Sequence, residues 1–518
     1  MSFLDNNNFK PSDIKLFVNI QGVEKELNEL IVSELKISRR INAIPQAVVK
    51  LRAKDSENGV YQSDVQRMLK SCRPGVKAEL RILNTRLFSG DIVQQKTELV
   101  YAKTHTIKLV LRHDLQRITG NFRTRVFANT RDRKVIADLL NTATLKPAFS
   151  GASHWDIDHE QLVQYRCSDW QFLLQRLYAT NSWLLAEEDK DNTQGKVTII
   201  APNSLPLNKS WTLQHQADHQ AIRLYSTELM LDNRFDTAEA VVSAWDIDDQ
   251  ALLVAWKETL SQVGKDALAS DNFSQANKDS SELLLSCPLS TKEVQFLTRS
   301  QLVMRRLTAV RGSLKVEGST KYRLGHELML SGFGENMDGS QILTGVDHLI
   351  TTEESWKTTL HVGLELPLRA EYVTQVNGVH IGKVADYQSD SKKWDRIPVL
   401  IPAFGTNIPL FARLGKPYAS HQSGFCFYPE TGDEVILSFL EGDPRYPVII
   451  DSLHNPQQQT PLQISKENNL KTLIIKQNDK GEQQLLFDSQ KQTVALIGKK
   501  NVEVKGEYIN LTKSKGTR

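Results

Sequence analysis

The sequence has 518 residues, enough for about three or four domains of ordinary size. Hydrophobic residues make up 40% and charged residues 24%, so the chain can bury a core and is not disordered over most of its length. Its formal net charge is only +3, which argues against a generic nucleic-acid-binding or membrane-surface protein.

The cysteine spacing and the N-terminal residues indicate in which cellular compartment the protein is made. The four cysteines (Cys72, Cys167, Cys287 and Cys426) form no Cys-x-x-Cys pair, so a zinc knuckle and a thioredoxin-type motif are excluded. The first residues lack the basic and apolar regions of a secretory signal, and no apolar run is long enough to span a membrane. We expect synthesis in the cytoplasm without a signal peptide and with reduced thiols, so any export uses another route.

The N-terminal part of the chain has the pattern of strands. Residues 14–22, 31–53 and 76–111 are rich in β-branched residues and are interrupted by polar turns. This pattern predicts a β-rich domain, which we place over residues 1–145.

The period of the apolar residues then changes to that of helices. Residues 133–141 and 169–180 have helical spacing, and Ser290 with Glu293 forms a capping box for a helix over residues 290–311. Strand patterns lie between and after these helices, as far as residue 366. We therefore predict a second β-barrel-like domain with helical insertions over residues 146–370.

Residues 371–455 contain about five short strands separated by turn signals such as Asn377-Gly378 and Thr431-Gly432-Asp433. Five strands in so few residues are typical of a small closed barrel of the OB type. A polar linker over residues 456–465 follows this predicted OB domain.

Residues 466–518 alternate short apolar runs with polar turns and show no helix pattern. Such strands make a poor isolated domain because burial from the second side is missing. Several copies that wind together would close a prism with the apolar positions inside. Val502 and Val504 face one way in this pattern, and Glu503 and Lys505 face the other. We predict a rod core formed by Val494, Leu496, Val502 and Val504.

Two segments carry a family resemblance. Residues 164–172 (QYRCSDWQF) resemble the Tyr-x-x-Ser-Asp-x-x-Phe run that opens a helix in VgrG proteins. Residues 424–455 resemble the VgrG OB-domain signature: an aromatic-Pro-x-x-Gly-Asp-Glu-Val run, then Phe-x-x-Gly-Asp-Pro, then a Ser-Leu-x-Asn exit. The signature residues are Tyr428, Pro429, Gly432, Asp433, Glu434, Val435, Gly442, Asp443 and Pro444.

VgrG proteins are the central spikes of contractile injection machines and correspond to a fusion of the hub and needle proteins of contractile phage tails. The resemblance implies a mainly β fold with helical insertions. Its parts would be two hub-type β-barrel domains, an OB-fold domain and a C-terminal intertwined triple-stranded β-helix, assembled as a homotrimer. The likeness does not distinguish a type VI secretion spike from a spike of an extracellular phage-tail-like particle.

The implied partners are two further copies of the chain, the inner tube protein, the baseplate proteins and a PAAR-type tip protein. Effector or toxin cargo is left open, contact with the target membrane would be transient, and no nucleic acid is expected. We expect the assembled particle to be delivered to the extracellular space or to a target cell. The chain ends at Arg518 soon after the OB segment, so we expect no appended effector domain.

Some residues suggest chemistry, but their spacing does not support it. Residues 154–160 (HWDIDHE) collect metal-capable side chains without a known ligand spacing, and we interpret them as an exposed polar loop. Asp246, Asp248 and Asp249 lack the Gly and the terminal Glu of a calcium loop. We predict no catalytic, cofactor-binding or metal-binding residue and no enzyme activity.

The main alternative is an OB-fold protein that binds single-stranded nucleic acid, which would need stacked aromatic rings in a basic groove. Phe425, Phe427 and Tyr428 are present, but few Lys or Arg residues surround them. We interpret these rings as core or trimer contacts. Our preferred function is therefore a structural spike that caps the tube and pierces the target envelope after sheath contraction.

Overall fold

A computed structural model describes residues 9–53, 66, 69–83, 85–100, 104–150, 156–188, 195–205, 207–215, 222–232, 234, 239–253, 256–259, 281–334, 337–365, 372–405, 407–476 and 482–512. His154 and Trp155 of the predicted polar loop lie outside these residues, as does the end of the predicted rod after residue 512.

The chain up to residue 200 is built mainly from strands and contains the helices α1 (Asp132–Asn141) and α2 (Asp169–Ala179), with helical residues also at 69–71. The strands are β1 (Ile14–Ile20), β2 (Val23–Glu26), β3 (Leu30–Arg40), β4 (Gln46–Ala53), β5 (Lys77–Ile82), β6 (Thr85–Val100), β7 (Thr104–Arg112), β8 (Phe122–Arg131), β9 (Pro147–Ser150), β10 (Asp158–Ser168), β11 (Trp183–Glu188) and β12 (Gly195–Ile200).

The middle of the chain contains the longest helix, α3 (Thr291–Ala309), among further strands. These strands are β13 (Leu207–Gln214), β14 (Leu224–Leu231), β15 (Glu239–Asp246), β16 (Ala251–Leu252), β17 (Trp256–Thr259), β18 (Ser281–Leu285), β19 (Val310–Glu317), β20 (His326–Ser331), β21 (Gly339–Thr351) and β22 (Ser355–Val362).

The C-terminal third has strands and short 3₁₀ turns in its described residues. The strands are β23 (His380–Val384), β24 (Arg396–Leu400), β25 (Leu410–Leu414), β26 (Ala419–Ser420), β27 (Ser423–Gly424), β28 (Glu434–Phe439), β29 (Pro447–Leu453), β30 (Leu470–Lys476), β31 (Glu482–Asp488) and β32 (Thr493–Gly498).

We call the two predicted β-barrel-like domains, residues 1–370, the hub. One 13-stranded sheet runs through both of them. Its main path is β14-β19-β22-β21-β3-β4-β7-β6-β5-β1-β2, and β20 and β13 branch from β21. The two halves join where β3 pairs antiparallel with β21, with Leu35 opposite Ile350. Arg40 donates two hydrogen bonds across this seam to the Asp347 carboxylate, at 2.5 and 2.6 Å.

Each half of the hub sheet encloses its own hydrophobic core. The first core comes mainly from residues 14–111 and includes Trp356, whereas the second comes mainly from residues 183–362 and includes Ile41. A third core packs α1 and α2 against β12, and its side chains run from Leu115 to Ile199 with Phe296 of α3. The side chains on either side of residue 145 thus belong to one packed unit, although the predicted domain boundary falls there.

Both predicted helix starts are capped by side chains. Ser168 caps α2 and exchanges hydrogen bonds with Gln171, and Ser290 caps α3 and exchanges them with Glu293. Each pair satisfies backbone N–H groups that a helix leaves without a partner in its first turn. Among the described residues, none of the helices combines the length and hydrophobicity needed to cross a membrane.

The OB domain is a closed five-stranded barrel in the order β23-β24-β25-β29-β28. All its pairings are antiparallel except β25 with β29, which is parallel. A barrel with this single parallel closure between its third and fifth strands has the OB topology. Its core contains Val399, Val435 and Leu437, and β8 and β10 of the hub add Val126, Val163 and Tyr165.

The C-terminal strands β30, β31 and β32 form an antiparallel sheet of three. The strands predicted between residues 501 and 513 are not formed in the described residues 501–512, which follow β32 without a strand assignment. A strand needs a hydrogen-bonding partner, and the single chain supplies none to this described segment.

Gly318 gives a stability test of the hub because its backbone lies against the Trp356 ring, which is 1% exposed. We expect Gly318→Ala to lower the free energy of unfolding by about 1–3 kcal/mol, since a Cβ there would overlap Trp356. Gly120→Ala is the matched control because a Cβ at Gly120 meets no atom within 4 Å. Chemical denaturation of both variants measures the difference, and equal unfolding midpoints would contradict this packing.

Candidate functional site at the OB domain and the C-terminal strands

The turn before β28 contains the first part of the OB signature. The Gly432 φ of +96° lies in the left-handed region, and the Gly432 N–H donates to the Val384 carbonyl at 2.9 Å. The Asp433 carboxylate accepts the Glu430 N–H at 2.8 Å and so closes the turn. The next residue but one, Val435, is fully buried in the barrel core. This signature therefore serves turn geometry and core packing.

The same turn is tied to the chain that leaves the barrel. The Gln458 side-chain amide donates to Asp433 at 2.9 Å, and the Asn455 amide donates to Glu434 at 2.9 Å. The start of the C-terminal segment is thereby held against the beginning of β28.

The second part of the signature forms the corner between β28 and β29. Gly442 has a φ of +70°, and its carbonyl accepts the Val376 N–H at 2.7 Å. Asp443 and Pro444 are buried, and the Asp443 carboxylate accepts hydrogen bonds from the Arg445 guanidinium at 2.7 and 3.0 Å. The carboxylate of Asp443 is therefore a buried charge at this corner of the OB domain, and Arg445 is its partner.

Arg445 connects the OB domain to the hub. Its guanidinium also donates a short hydrogen bond to one oxygen of Glu293, at the start of α3. The other Glu293 oxygen accepts the Ser290 N–H at 2.9 Å. The same carboxylate therefore caps the hub helix and pairs with the OB arginine, although the two residues are 152 positions apart.

The charged chain continues into the hub. His159 Nδ1 lies 3.9 Å from Glu293 Oε1, and His159 Nε2 lies 2.8 Å from Asp132 Oδ2. The Arg176 guanidinium donates to both Asp132 oxygens, at 2.6 and 3.1 Å. The exposed-loop interpretation is wrong for His159, because it lies on strand β10 and is 6% exposed. We call this network of six residues the ionic junction; its members, in order of contact, are Asp443, Arg445, Glu293, His159, Asp132 and Arg176.

Charges in the ionic junction stabilise one another. Burial raises the pKa of Glu293, but the charges of Arg445 and His159 lower it by more than burial raises it. The resulting pKa is about 2. Burial likewise raises the pKa of Asp132, and Arg176 with His159 lowers it below its usual range. Asp443 keeps the pKa of Arg445 well above its ordinary value against the opposing effect of burial. Glu293 and Asp132 stay ionised at neutral pH because each has a cationic or imidazole partner.

Polar and aromatic contacts lie beside the ionic junction. The Gln161 side chain on β10 accepts the Phe411 N–H at 2.9 Å and donates to the Arg445 carbonyl. The Tyr165 ring packs on Phe404 of the OB domain with ring centroids 5.3 Å apart. The OB domain and the hub are therefore joined through a buried interface.

The C-terminal sheet presents one strongly apolar face. Leu473, Leu485 and Leu496 lie directly opposite one another across the three strands. Ile475, Phe487 and Val494 occupy the same face by strand alternation. Exposure of this apolar face ranges from 44% for Phe487 to 66% for Val494 among its outermost side chains.

The extended segment after β32 continues this pattern. Val502 and Val504 are 52% and 62% exposed, and Glu503 pairs with Lys505 at 2.5 Å on the other side. The four predicted rod-core residues therefore lie on the surface of the single chain. Their burial between copies stays a prediction.

The remaining candidates serve local structure. Asp246 accepts the backbone N–H groups of Asp248 and Asp249 at 2.8 and 3.2 Å, as in a tight turn. Across the described ranges, no three His, Cys, Asp or Glu side chains are grouped so that they could hold a metal ion. Phe425, Phe427 and Tyr428 are 40–50% exposed, so the core interpretation is wrong for these rings, and the trimer-contact interpretation stays a prediction.

Two family matches cover most of the chain. Residues 12–352 match the family described as the Alg8 N-terminal domain. The chain belongs to the Alg8 N-terminal domain family. Residues 380–454 of this Alg8-family chain match the family described as the type VI secretion system/phage-baseplate injector OB domain.

Solved structures share the fold of this Alg8-family chain at low sequence identity. An E. coli type VI secretion component, described as similar to the T4 bacteriophage tail proteins gp27 and gp5, aligns at 12% identity with a TM-score of 0.55. That alignment covers 85% of this chain and 100% of the other. A chain of the Francisella PdpA-VgrG complex aligns at 10% identity with a TM-score of 0.60, covering 92% and 75%.

A 43 kDa tail protein of prophage MuSo2 from Shewanella oneidensis aligns at 9% identity with a TM-score of 0.51, covering 70% of this chain and 100% of that one. Together with the injector OB match, these structures confirm the resemblance to VgrG-family spikes. The mainly β fold, with a large sheet followed by an OB barrel, is also confirmed.

The OB signature singles out Asp443, but no sequence pattern indicates that it belongs to a network with Glu293 and His159. Arg445 had a signal, since it follows the Gly-Asp-Pro corner by one residue, but nothing local indicates that its partner is Glu293. The capping box explains Glu293 without reference to Arg445. Only the folded chain brings the two residues together.

Arg445→Met tests whether the ionic junction holds the OB domain on the hub. We expect a loss of about 3–5 kcal/mol in the free energy of unfolding, because Glu293 and Asp443 would be left buried without their cation. Arg131→Met is the control, since its pair with Asp158 is exposed to solvent. Calorimetry measures both variants, and the junction would lose its assigned role if they unfolded at the same temperature.

Glu293→Gln tests the same junction by its pH dependence. The pKa of Glu293 is about 2 in the folded chain, below its ordinary value of 4.5. Its charge therefore stabilises the fold fully above about pH 4.5, and this contribution is lost as the pH falls towards 2. We expect the wild type to exceed the variant in unfolding free energy at pH 7, by an amount that shrinks by pH 3. A gap that stays constant over this range would contradict the assignment.

Proposed function

We propose that three copies of this chain form the structural spike and hub of a contractile injection machine. In this assembly the hub caps the inner tube within the baseplate, and the C-terminal strands wind into a triple-stranded rod. The rod carries a PAAR-type tip and pierces the target envelope when the sheath contracts. The chain acts mechanically and not as an enzyme.

The exposed apolar face of β30–β32 is the observation that carries this proposal. Six apolar side chains lie on one face of a three-stranded sheet, and Val502 and Val504 extend the pattern. Monomeric proteins rarely expose a contiguous apolar patch of this kind. Self-association covers the patch, and a wound rod also pairs the strand edges that would otherwise be free.

The number of copies rests on the resemblance to VgrG spikes, and the hub is consistent with it. Each chain has two β-sheet cores, joined where β3 meets β21. Three chains would place six such units around an axis, so the hub could match a sixfold tube while the rod stays threefold.

The proposed partners follow from the same assembly. The hub would contact the inner tube and the baseplate proteins, and the last residues of the rod would seat the tip protein. Effector or toxin cargo is left open; the Francisella VgrG protein, which shares the fold, is found in a complex with PdpA. Delivery by such a particle would take the protein to the extracellular space or into a target cell without a signal peptide.

Mass measurement of two charge variants tests the assembly. Light scattering should give about 176 kDa for the wild type, three times the 58.6 kDa of one chain. We expect Val502→Asp and Val504→Asp to shift the protein towards smaller species, because a carboxylate would be buried in the rod core.

Lys505→Asp is the matched control, since it places the same carboxylate on the opposite side of the segment. We expect this variant to keep the wild-type mass. Normal trimers from both valine variants would contradict the assigned inner face, and a monomeric wild type would contradict the spike proposal itself.

A further inference from the structure

An arm projects from the OB barrel between β25 and β28. We call residues 415–431 the OB arm; it contains the small hairpin of β26 and β27. Both limbs of the arm are held at its base by Asp395. The Tyr428 hydroxyl donates to the Asp395 carboxylate at 2.8 Å, and Lys416 Nζ donates to it at 3.0 Å.

The tip of the arm is also ordered by its backbone. Ser420 pairs with Ser423, and the Phe425 N–H donates to the Tyr418 carbonyl at 3.0 Å. Gly424 has a φ of +143°, and a Cβ there would lie 2.5 Å from the Tyr418 carbonyl oxygen. The arm is therefore preorganised rather than a loose connection.

The arm presents aromatic rings to solvent. Tyr418, Phe425, Phe427 and Tyr428 are 40–53% exposed, and the Phe425 and Phe427 ring centroids lie 6.3 Å apart. Residues 417–429 contain no Lys, Arg, Asp or Glu, and His421 is their one titratable imidazole. A rigid aromatic surface without charged residues between 417 and 429 has the composition of a protein–protein contact. Lys416 lies over the Tyr428 ring at its base but is paired with Asp395, so the arm does not have the basic groove that nucleic acid requires.

A second apolar surface lies on the outside of the same barrel. We call Val379, Ile381, Ile436 and Ile450 the aliphatic patch. Ile381 lies opposite Ile436 where β23 pairs with β28. Ile450 lies at the β-bulge of β29, between Ile449, which is opposite Leu437 of β28, and Asp451, which is opposite Ile436. Val379, Ile381 and Ile450 are 64%, 45% and 50% exposed.

We propose that the OB arm docks on the aliphatic patch of a second copy of this chain. The two surfaces match because one is aromatic and projecting and the other is aliphatic and lies on the barrel wall. The side chains that define each surface are uncharged, and Asp451, opposite Ile436, borders the aliphatic patch. They are different surfaces of one domain, so the contact is head-to-tail and closes into a ring under cyclic symmetry. This inference rests on the proposed trimer.

The position of the arm agrees with this partner. The turn at Asp433 that ends the arm also holds Gln458, at 2.9 Å, where the chain leaves for the C-terminal strands. The base of the arm and the start of the proposed rod therefore lie together. In a threefold assembly, neighbouring copies meet at that end of the barrel.

Cys426 reports directly on whether the arm is covered. It lies between Phe425 and Phe427 and is exposed, whereas Cys72, Cys167 and Cys287 are buried. We expect the thiol reagent DTNB to modify Cys426 at least tenfold more slowly in the wild-type trimer than in the Val502→Asp/Ile381→Ser double variant, whose arm is intact but undocked.

Substitutions then test the two surfaces separately. We expect Phe427→Ser and Ile381→Ser each to raise the protein concentration needed for assembly by about tenfold, and Ile381→Ser to expose the unaltered Cys426. Phe122→Ser is the control, because Phe122 is a 69% exposed ring on hub strand β8. This control should leave both the mass and the thiol reactivity unchanged.

The outcomes separate this inference from the trimer itself. Docking on the aliphatic patch is supported if DTNB modifies Cys426 slowly in the wild-type trimer and the Ile381→Ser substitution makes this reaction fast. A trimer whose Cys426 reacts as fast as in the double variant overturns the docking and leaves the spike proposal standing. A monomeric wild type overturns both, and protection that appears only after single-stranded DNA is added overturns the choice of partner.

Discussion

The rest of the proposed assembly depends on one physical constraint, which is that a three-stranded sheet cannot bury its own face. Leu473, Leu485 and Leu496 align across β30–β32, and their face keeps much of its contact with water in the part of the chain that the structure describes. Water contact of apolar area is unfavourable at about 25 cal/mol per Å². Association of copies removes this cost and supplies strand partners for the segment after β32. In the proposed spike, burial of this apolar surface would be the driving force of assembly.

A rod formed in this way is useful only if it is held stiffly by the rest of the molecule. The ionic junction supplies that coupling, because it carries ion pairs from Asp443 of the OB domain through Glu293 to Arg176 of the hub. Tyr165 and Gln161 of the hub meet the OB domain beside it. Buried charges are costly to separate, so a partial opening of the interface is disfavoured. The OB domain and the hub should therefore move as one body under axial load.

Local signals in the sequence predicted much of this arrangement. The capping box at Ser290 predicted the start of α3, since capping depends on residues three positions apart, and helical spacing predicted α2. Turn residues such as Gly432 and Asp433 have a similarly local cause. Pairings between distant segments, such as Arg445 with Glu293, have no local signal and were missed. The polar run at 154–160 misled for the same reason, because the partners that bury His159 lie on α1 and α2.

The C-terminal segment shows a different limit, which concerns the number of chains. Its alternating pattern predicted strands along residues 466–518, and the single chain forms three strands in the described residues, up to Gly498. The pattern at Val502 and Val504 is that of a strand, but a strand is defined by its partner. If the partner belongs to another copy, folding of this segment must wait for assembly, whereas the hub and the OB barrel have cores of their own. The two folded units would then be formed before the rod closes.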